Sequence, residues 1–254
     1  MKRLFLWLMV VVVSIASFAQ KTRIAAAADL RFAMDEIVSE FKKAHKNAYI
    51  EVIYGSSGNV FTQIINGGAP YDIYFSADIS YPQKLFEAGL TTDEPIMYAI
   101  GRIVLWSSSL DVSQGVEVLA ENPRARIAIA NPSHAPYGER AVETLSHYGI
   151  YDQIKQRLIF GENIAQAAQF CLTGNAQVGI LALSLALAPN MQNRGRYFLI
   201  DDTTHKPLHQ GFVILNRAAN NKTAQQFSKF ITSPAAVTIL EKYGFETPGN
   251  SVEQ

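Results

Sequence analysis

A chain of 254 residues with 22 basic and 22 acidic side chains has no charge excess to recruit nucleic acid, and no basic stripe stands out in it. Its single cysteine, Cys171, excludes an internal disulfide; set in an apolar helical pattern, it reads as a small buried hydrophobe rather than a nucleophile. At 48% apolar residues the chain has the length and composition for one large domain or two lobes.

The chain opens on Met1-Lys2-Arg3, an apolar run from Leu4 to about Ala16, and Ser17-Phe18-Ala19. A basic start, a hydrophobic centre and a small-x-small end make an export signal. The run falls short of the about 20 residues a membrane span needs, and no cysteine follows it to carry a lipid. Residues 1–19 are therefore expected to be cleaved, leaving a soluble periplasmic chain from Gln20 with a formal charge of −2 once Lys2 and Arg3 are gone.

Strand and helix patterns then alternate. Thr22 to Ala26 reads as a buried strand, and Asp29 as the N-cap of a helix with Leu30, Ala33, Met34, Ile37, Val38 and Phe41 on its apolar face. A strand over Ile50–Tyr54 leads through Gly55-Ser56-Ser57-Gly58-Asn59 into a helix carrying Val60, Phe61, Ile64 and Ile65. Ile73 to Ala77 is a third strand, followed by a helix from about Tyr81 that stops at Gly89. A second series follows: strands at Ile103–Trp106 and Arg126–Ala130, a helix from Gly138 to Tyr148, a helix from Ile164 to Thr173, and strands at Val178–Leu181 and Tyr197–Ile200. A strand at Phe212–Leu215 and two helices, from Lys222 and from Pro234, complete the first series.

These alternations predict two α/β lobes with mainly parallel mixed sheets. The first lobe is expected over residues 20–99 plus 211–254 and the second over 100–210, joined by two strands near Tyr98–Gly101 and Asp201–Gly211. Ligands of open α/β sheets bind at the carboxyl ends of the strands, so the expected site is the cleft between the lobes.

Four junctions lead into helices there: Ala25 to Leu30, Gly55 to Asn59, Asn131 to Gly138, and Gly161 to Ile164. Helix N-termini offer free N–H groups and a favourable dipole to an anion. The Gly55–Asn59 turn holds no Lys or Arg, so it would grip an anion by hydrogen bonds alone. Each junction also has a structural reading: a serine turn is often only a cap, Tyr137 could be a packed aromatic, and His134 lacks a second His or Cys at ligand spacing. Catalysis finds little support. Ser56 and Ser57 have no Gly-x-Ser-x-Gly elbow, and neither a Walker loop nor a His-Glu-x-x-His motif is present.

At these junctions the chain resembles the periplasmic molybdate-binding proteins of ABC transporters. The resemblance rests on Ala26-Ala27-Ala28-Asp29-Leu30, Gly55-Ser56-Ser57, Gly68-Ala69-Pro70-Tyr71-Asp72-Ile73 with Ser76-Ala77-Asp78, Asn131-Pro132 with His134-Ala135-Pro136-Tyr137-Gly138, Gly179-Ile180, and Lys242-Tyr243-Gly244-Phe245. It implies the type II periplasmic-binding-protein fold, a bound tetrahedral dianion (molybdate, also tungstate), an inner-membrane permease as partner, a monomer, and neither enzyme activity nor a cofactor. Molybdenum or tungsten would enter only as the oxyanion, with no direct protein ligand. Matched to the family, the ligand-binding positions are Asp29, Ser57, Tyr137 and Ile164, with Ala28, Asn163 and Ala182 as further candidates. Two positions depart from it: Asp29 stands where Ser or Asn is usual, and Ala182 where some members place a Tyr, whose hydroxyl Tyr137 could replace. Asp29 is expected either to give only its backbone N–H while its carboxylate caps the helix, or to accept a proton from a protonated anion. The alternatives are a receptor for hydrogen phosphate or sulfate, and an exported serine hydrolase using Ser56 or Ser57.

Overall fold

The computed structural model describes residues 21–248; the export signal expected over residues 1–19 lies outside them. The first lobe runs β1 (Thr22–Ala27), a 3-10 turn at Ala28–Leu30, α1 (Arg31–Ala44), β2 (Ile50–Gly55), α2 (Ser57–Ile65), β3 (Ile73–Ser76), α3 (Ser80–Glu87) and β4 (Ile96–Gly101). The second runs β5 (Ile103–Ser107), α4 (Val118–Glu121), β6 (Ile127–Ala130), α5 (Pro136–His147), α6 (Tyr151–Ile154), β7 (Leu158–Gly161), α7 (Ile164–Leu172), β8 (Val178–Ala182), α8 (Leu183–Ala186) and β9 (Arg196–Leu199). The chain then returns to the first lobe for β10 (Leu208–Ile214), α9 (Lys222–Phe230) and α10 (Pro234–Lys242).

Each lobe has a five-stranded sheet, ordered β2-β1-β3-β10-β4 and β7-β6-β8-β5-β9. In both, four strands run one way and one runs against them: β10 is antiparallel to its neighbours β3 and β4, and β5 to its neighbours β8 and β9. The fold is thus the two-lobed α/β architecture with mixed sheets expected from the alternation of elements.

Period-two alternation explains how one strand serves two layers. Ile24 and Ala26 of β1 pack with Leu30, Met34, Ile37 and Phe41 of the α1 layer, whereas Ala25 joins Val60, Ile64 and Leu85 on the opposite face. Phe75 and Phe212 follow the first group; Tyr74 and Val213 follow the second. A fully buried Leu, Ile or Phe contributes roughly 1.5–3 kcal/mol, against about 0–1 for an exposed ion pair. The sheet faces, not the surface charges, therefore carry the stability of each lobe. Cys171 lies in the second lobe's core, where burial pushes its thiol up to about 12.

Two strands, β4 and β7, escape the sequence patterns. Both are edge strands that pair on one side only, and Ile96 and Phe160 point an exposed apolar side chain outward, which blurs the alternation. The helices α4, α6 and α8 are four residues long, too short to show a period. Among the described residues no helix is long and apolar enough to cross a membrane.

The two lobes are shut against each other. Ala27, Ala28 and Ala77 of the first lobe pack into the second lobe's core. The Gly58 N–H donates to the His134 carbonyl at 2.9 Å, and Ser184 Oγ donates to the Asp29 carbonyl at 2.8 Å. Arg140, almost fully buried on α5, pairs with Asp78 across the cleft at 3.3 Å.

Candidate functional site

All four junctions meet at one small cavity, lined by Ala27, Ala28, Asp29, Gly55, Ser56, Ser57 and Ala77 from the first lobe, and by Ala135, Pro136, Tyr137, Asn163 and Ile164 from the second. Its free volume is about 10 Å3, enough for about one water. No Lys, Arg or His lines it.

Ser57 opens α2 directly behind Ser56, whose extended backbone (φ −79, ψ 144) turns the chain from strand to helix. Its Oγ accepts the Ala77 N–H at 3.0 Å, and its carbonyl accepts the Tyr74 hydroxyl at 2.7 Å. The Ser57 O–H proton has no acceptor among the described residues, so it is free for a group in the cavity. Its backbone N–H, in the first turn, has no acceptor within the helix.

The second lobe supplies two further helix starts. Pro136 occupies the first position of α5, where its missing N–H costs nothing, and Tyr137 follows. Gly138 is obligatory: a Cβ there would run into the Ala130 carbonyl. At α7, Asn163 Oδ1 accepts the Gln166 N–H at 3.0 Å and caps the helix. Asn163 thus reaches the cavity wall with its side chain already engaged. Ile164 is buried and lines the cavity beside it.

Asp29 is not a helix cap. It lies inside the 3-10 turn Ala28–Leu30, and neither that turn nor α1 has a side-chain cap. Its carboxylate instead faces the cleft, where Oδ2 accepts the Tyr137 hydroxyl at 3.0 Å and the Gln210 amide at 2.7 Å. Oδ1 is buried with no hydrogen-bond partner. Burial pushes the carboxyl up to about 6; hydrogen bonds from Gln210 and Tyr137, and the adjoining backbone N–H groups of Asp29 and Leu30, oppose the rise. The capping preference of Asp lost because the short turn brings the side chain under β10 and α5, whose amide and phenol are stronger partners than a frayed N-terminus.

The Tyr137 hydroxyl spends its one proton on Asp29 and accepts from Gln210 Nε2 at 3.1 Å. It is therefore not a free replacement for a Tyr at position 182. Ala182 itself ends β8 fully buried, paired with Ile103, and does not line the cavity. Ala28 does.

Ser56, His134 and Glu162 stand in the order of a nucleophilic triad. Ser56 Oγ is 2.9 Å from His134 Nδ1, and His134 Nε2 is 3.7 Å from a Glu162 oxygen. The second distance is too long for a hydrogen bond, and Glu162 is exposed and bonded to Asn59. The trio bridges the lobes at the rim of the cavity rather than presenting a nucleophile.

Sequence patterns did not single out Gln210, Ser184 or Arg140. Gln210 sits where the β10–β4 ladder slips by one residue, leaving Tyr98 without an opposite partner, and a bulge of this kind re-aims side chains. Tyr98 donates to Gln210 Oε1 at 2.5 Å, which points the amide nitrogen at Asp29. No local motif announces such a register shift.

Residues 22–246 match the protein family described as bacterial extracellular solute-binding protein. The chain is 34% identical to the molybdate-binding protein ModA of Azotobacter vinelandii, over 91% of each chain. It is 33% identical to the ModA of Rhodobacter capsulatus, over 88% of this chain and 87% of that one. The solved structure of the Azotobacter vinelandii periplasmic molybdate-binding protein superposes with a TM-score of 0.83 at 32% identity, covering 89% of this chain and 99% of the other.

Proposed function

The chain belongs to the bacterial extracellular solute-binding proteins, among the molybdate-binding members, and on that footing we propose that it captures molybdate, and tungstate with it, and hands it to an inner-membrane ABC permease. It is a transport component that binds and releases its ligand, without a reaction and without a cofactor. In this reading residues 1–19 direct export to the periplasm and the mature chain works as a monomer. Residues 20–99 plus 211–254 form one lobe, residues 100–210 the other, and the lobes close on the ligand about their two connections.

The observation that carries the reading is the cavity itself: four helix or turn starts, two from each lobe, surround a space with donors and no cation. Ser57 would give its hydroxyl and N–H, and Asp29, Tyr137 and Ile164 their backbone N–H groups. Hydrogen bonds to a charged group contribute roughly 1.5–3 kcal/mol each, so several together offset a desolvation cost of several kcal/mol per ion. Selectivity would follow size, since a site fitted to metal–oxygen bonds holds the smaller sulfate loosely.

One observation favours a second reading. The Asp29 carboxylate at the cavity would suit an anion that carries its own proton, such as hydrogen phosphate. Two like unit charges 4 Å apart cost about 4 kcal/mol at an effective dielectric of 20, and a dianion doubles that. Calorimetry of the mature chain with molybdate, tungstate, sulfate and phosphate at pH 7.5 separates the two. Tight one-to-one binding of molybdate and tungstate alone is expected; binding of phosphate alone would replace molybdate as the cargo.

A further inference from the structure

The repulsion between Asp29 and a dianion has a solution in the geometry of the carboxyl group. Oδ2 already accepts two hydrogen bonds, from Tyr137 and from Gln210. Oδ1 is buried, unpartnered, and belongs to a residue that lines the cavity. We propose that in the liganded state Asp29 is a neutral acid whose Oδ1–H donates a hydrogen bond to the oxyanion, so that each anion captured takes up one proton from solvent. The inference rests on the oxyanion-receptor reading above and names what its one unusual residue contributes.

The donor count supports this. Tyr137 and Gln210 both donate to the same oxygen, which leaves Oδ1 as the place for the proton. Gln210 is held in that sense by the Tyr98 hydroxyl on its own Oε1. The surroundings offer no competing charge: β4 contributes the neutral phenol of Tyr98, α5 that of Tyr137, β10 the amide of Gln210 and α8 the hydroxyl of Ser184. Arg31, the nearest cation along the chain, lies over the Tyr54 ring at 5.8 Å. The His134 ring is engaged with Ser56. Even without an anion, burial outweighs the opposing hydrogen bonds and holds the carboxyl at about 6, and an adjoining dianion pushes in the same direction. At pH 7.5, above that value, the carboxyl of the anion-free chain is ionised; closing over the anion reprotonates it. Where the family pattern has a neutral donor, Asp29 becomes one by taking a proton.

The test is calorimetric titration of the mature chain with molybdate at pH 7.5 in two buffers of different ionisation enthalpy, which counts protons directly. Uptake of about one proton per molybdate is expected, with affinity falling about tenfold per pH unit above neutrality. Asp29→Asn should bind molybdate with no proton uptake and no such slope. Molybdate binding without proton uptake by the unmodified chain would overturn the inference and leave the receptor function intact. Phosphate binding without uptake would do the same, making Asp29 a charged acceptor. Uptake on binding sulfate or phosphate, with molybdate ignored, would uphold the proton and remove molybdate as the cargo; no binding by any of the four anions would overturn both. Should Asp29→Asn not fold, the proton count of the unmodified chain decides alone.

Discussion

Ser56 Oγ and His134 Nδ1 meet 2.9 Å apart across the cleft, one at the end of β2 and the other in the loop before α5. Gly58 N–H donates to the His134 carbonyl at 2.9 Å, and Asn59 reaches Glu162 beside it. Four polar residues thus join the lobes at the rim, and they can form these bonds only when the lobes are shut. Their free energy is part of the closing equilibrium, and hence of ligand affinity.

The first expectation concerns His134. Removing its ring in His134→Ala deletes the side-chain link while the backbone link through Gly58 remains. One neutral hydrogen bond contributes about 0.5–1.5 kcal/mol net, so molybdate affinity should fall roughly 3- to 10-fold with the ranking of anions unchanged. An unaltered dissociation constant by calorimetry would show that the rim contact is incidental.

Gly58→Ala makes a sharper test of closure. A Cβ there would stand 2.7 Å from the His134 carbonyl oxygen and 3.0 Å from both His134 Cα and the Tyr81 hydroxyl. Ala is intrinsically better in a helix than Gly by about 1 kcal/mol, and the Tyr81 hydroxyl is the far end of a flexible side chain that can swing aside, so the first lobe should not be weakened. Thermal stability without ligand should hold, while affinity should drop more than tenfold and small-angle scattering should show less compaction on adding molybdate. Full affinity would contradict the steric argument.

Ser57→Ala removes the hydroxyl whose proton is free for the cavity and whose oxygen accepts the Ala77 N–H. A hydrogen bond to a charged group is worth roughly 1.5–3 kcal/mol, or about 10- to 150-fold in affinity. Calorimetry with Ser57→Ala and Ser56→Ala should show the large loss only in the first; equal losses would argue that the two serines act merely as a turn.

Asp29→Asn also has a signature in stability without ligand. The folded carboxyl sits near 6 against an ordinary value of about 4, so the folded state binds more protons between those values and loses stability as pH rises through them. Above pH 6 the native chain carries a penalty of order 2–3 kcal/mol that Asn does not, and below pH 4 it carries none. The variant should therefore melt higher than the native chain at pH 7.5, with the gap closing toward pH 4. A gap that is constant with pH would mean that Asp29 does not titrate in this range.

Much of this molecule was legible in its residues. The alternation of apolar runs with 3.6-period stripes predicts β1 to α3, and β5, β6, α5, α7 and β8, in their order, with the central strands marked by burial on both faces. Gly55-Ser56-Ser57 and Asn131 to Gly138 announce loops before helices by their composition alone. Edge strands β4 and β7 did not show, since half of each faces solvent and their pattern is shared with loops.

Local chemistry also determined the helix starts that surround the cavity, whereas Asn163, read from the sequence only as a loop residue and candidate ligand contact, caps α7. What Asp29 does was decided elsewhere. By sequence it precedes an apolar stripe, as a cap should; in the fold, a register slip between β10 and β4 turns Gln210 toward it, and lobe closure lays Tyr137 across it. Partners 108 and 181 residues away leave no local trace. Propensity is a property of a segment and its immediate neighbours, whereas the charge state of a buried carboxyl is set by every dipole and every water excluded around it, which exist only once the two lobes meet.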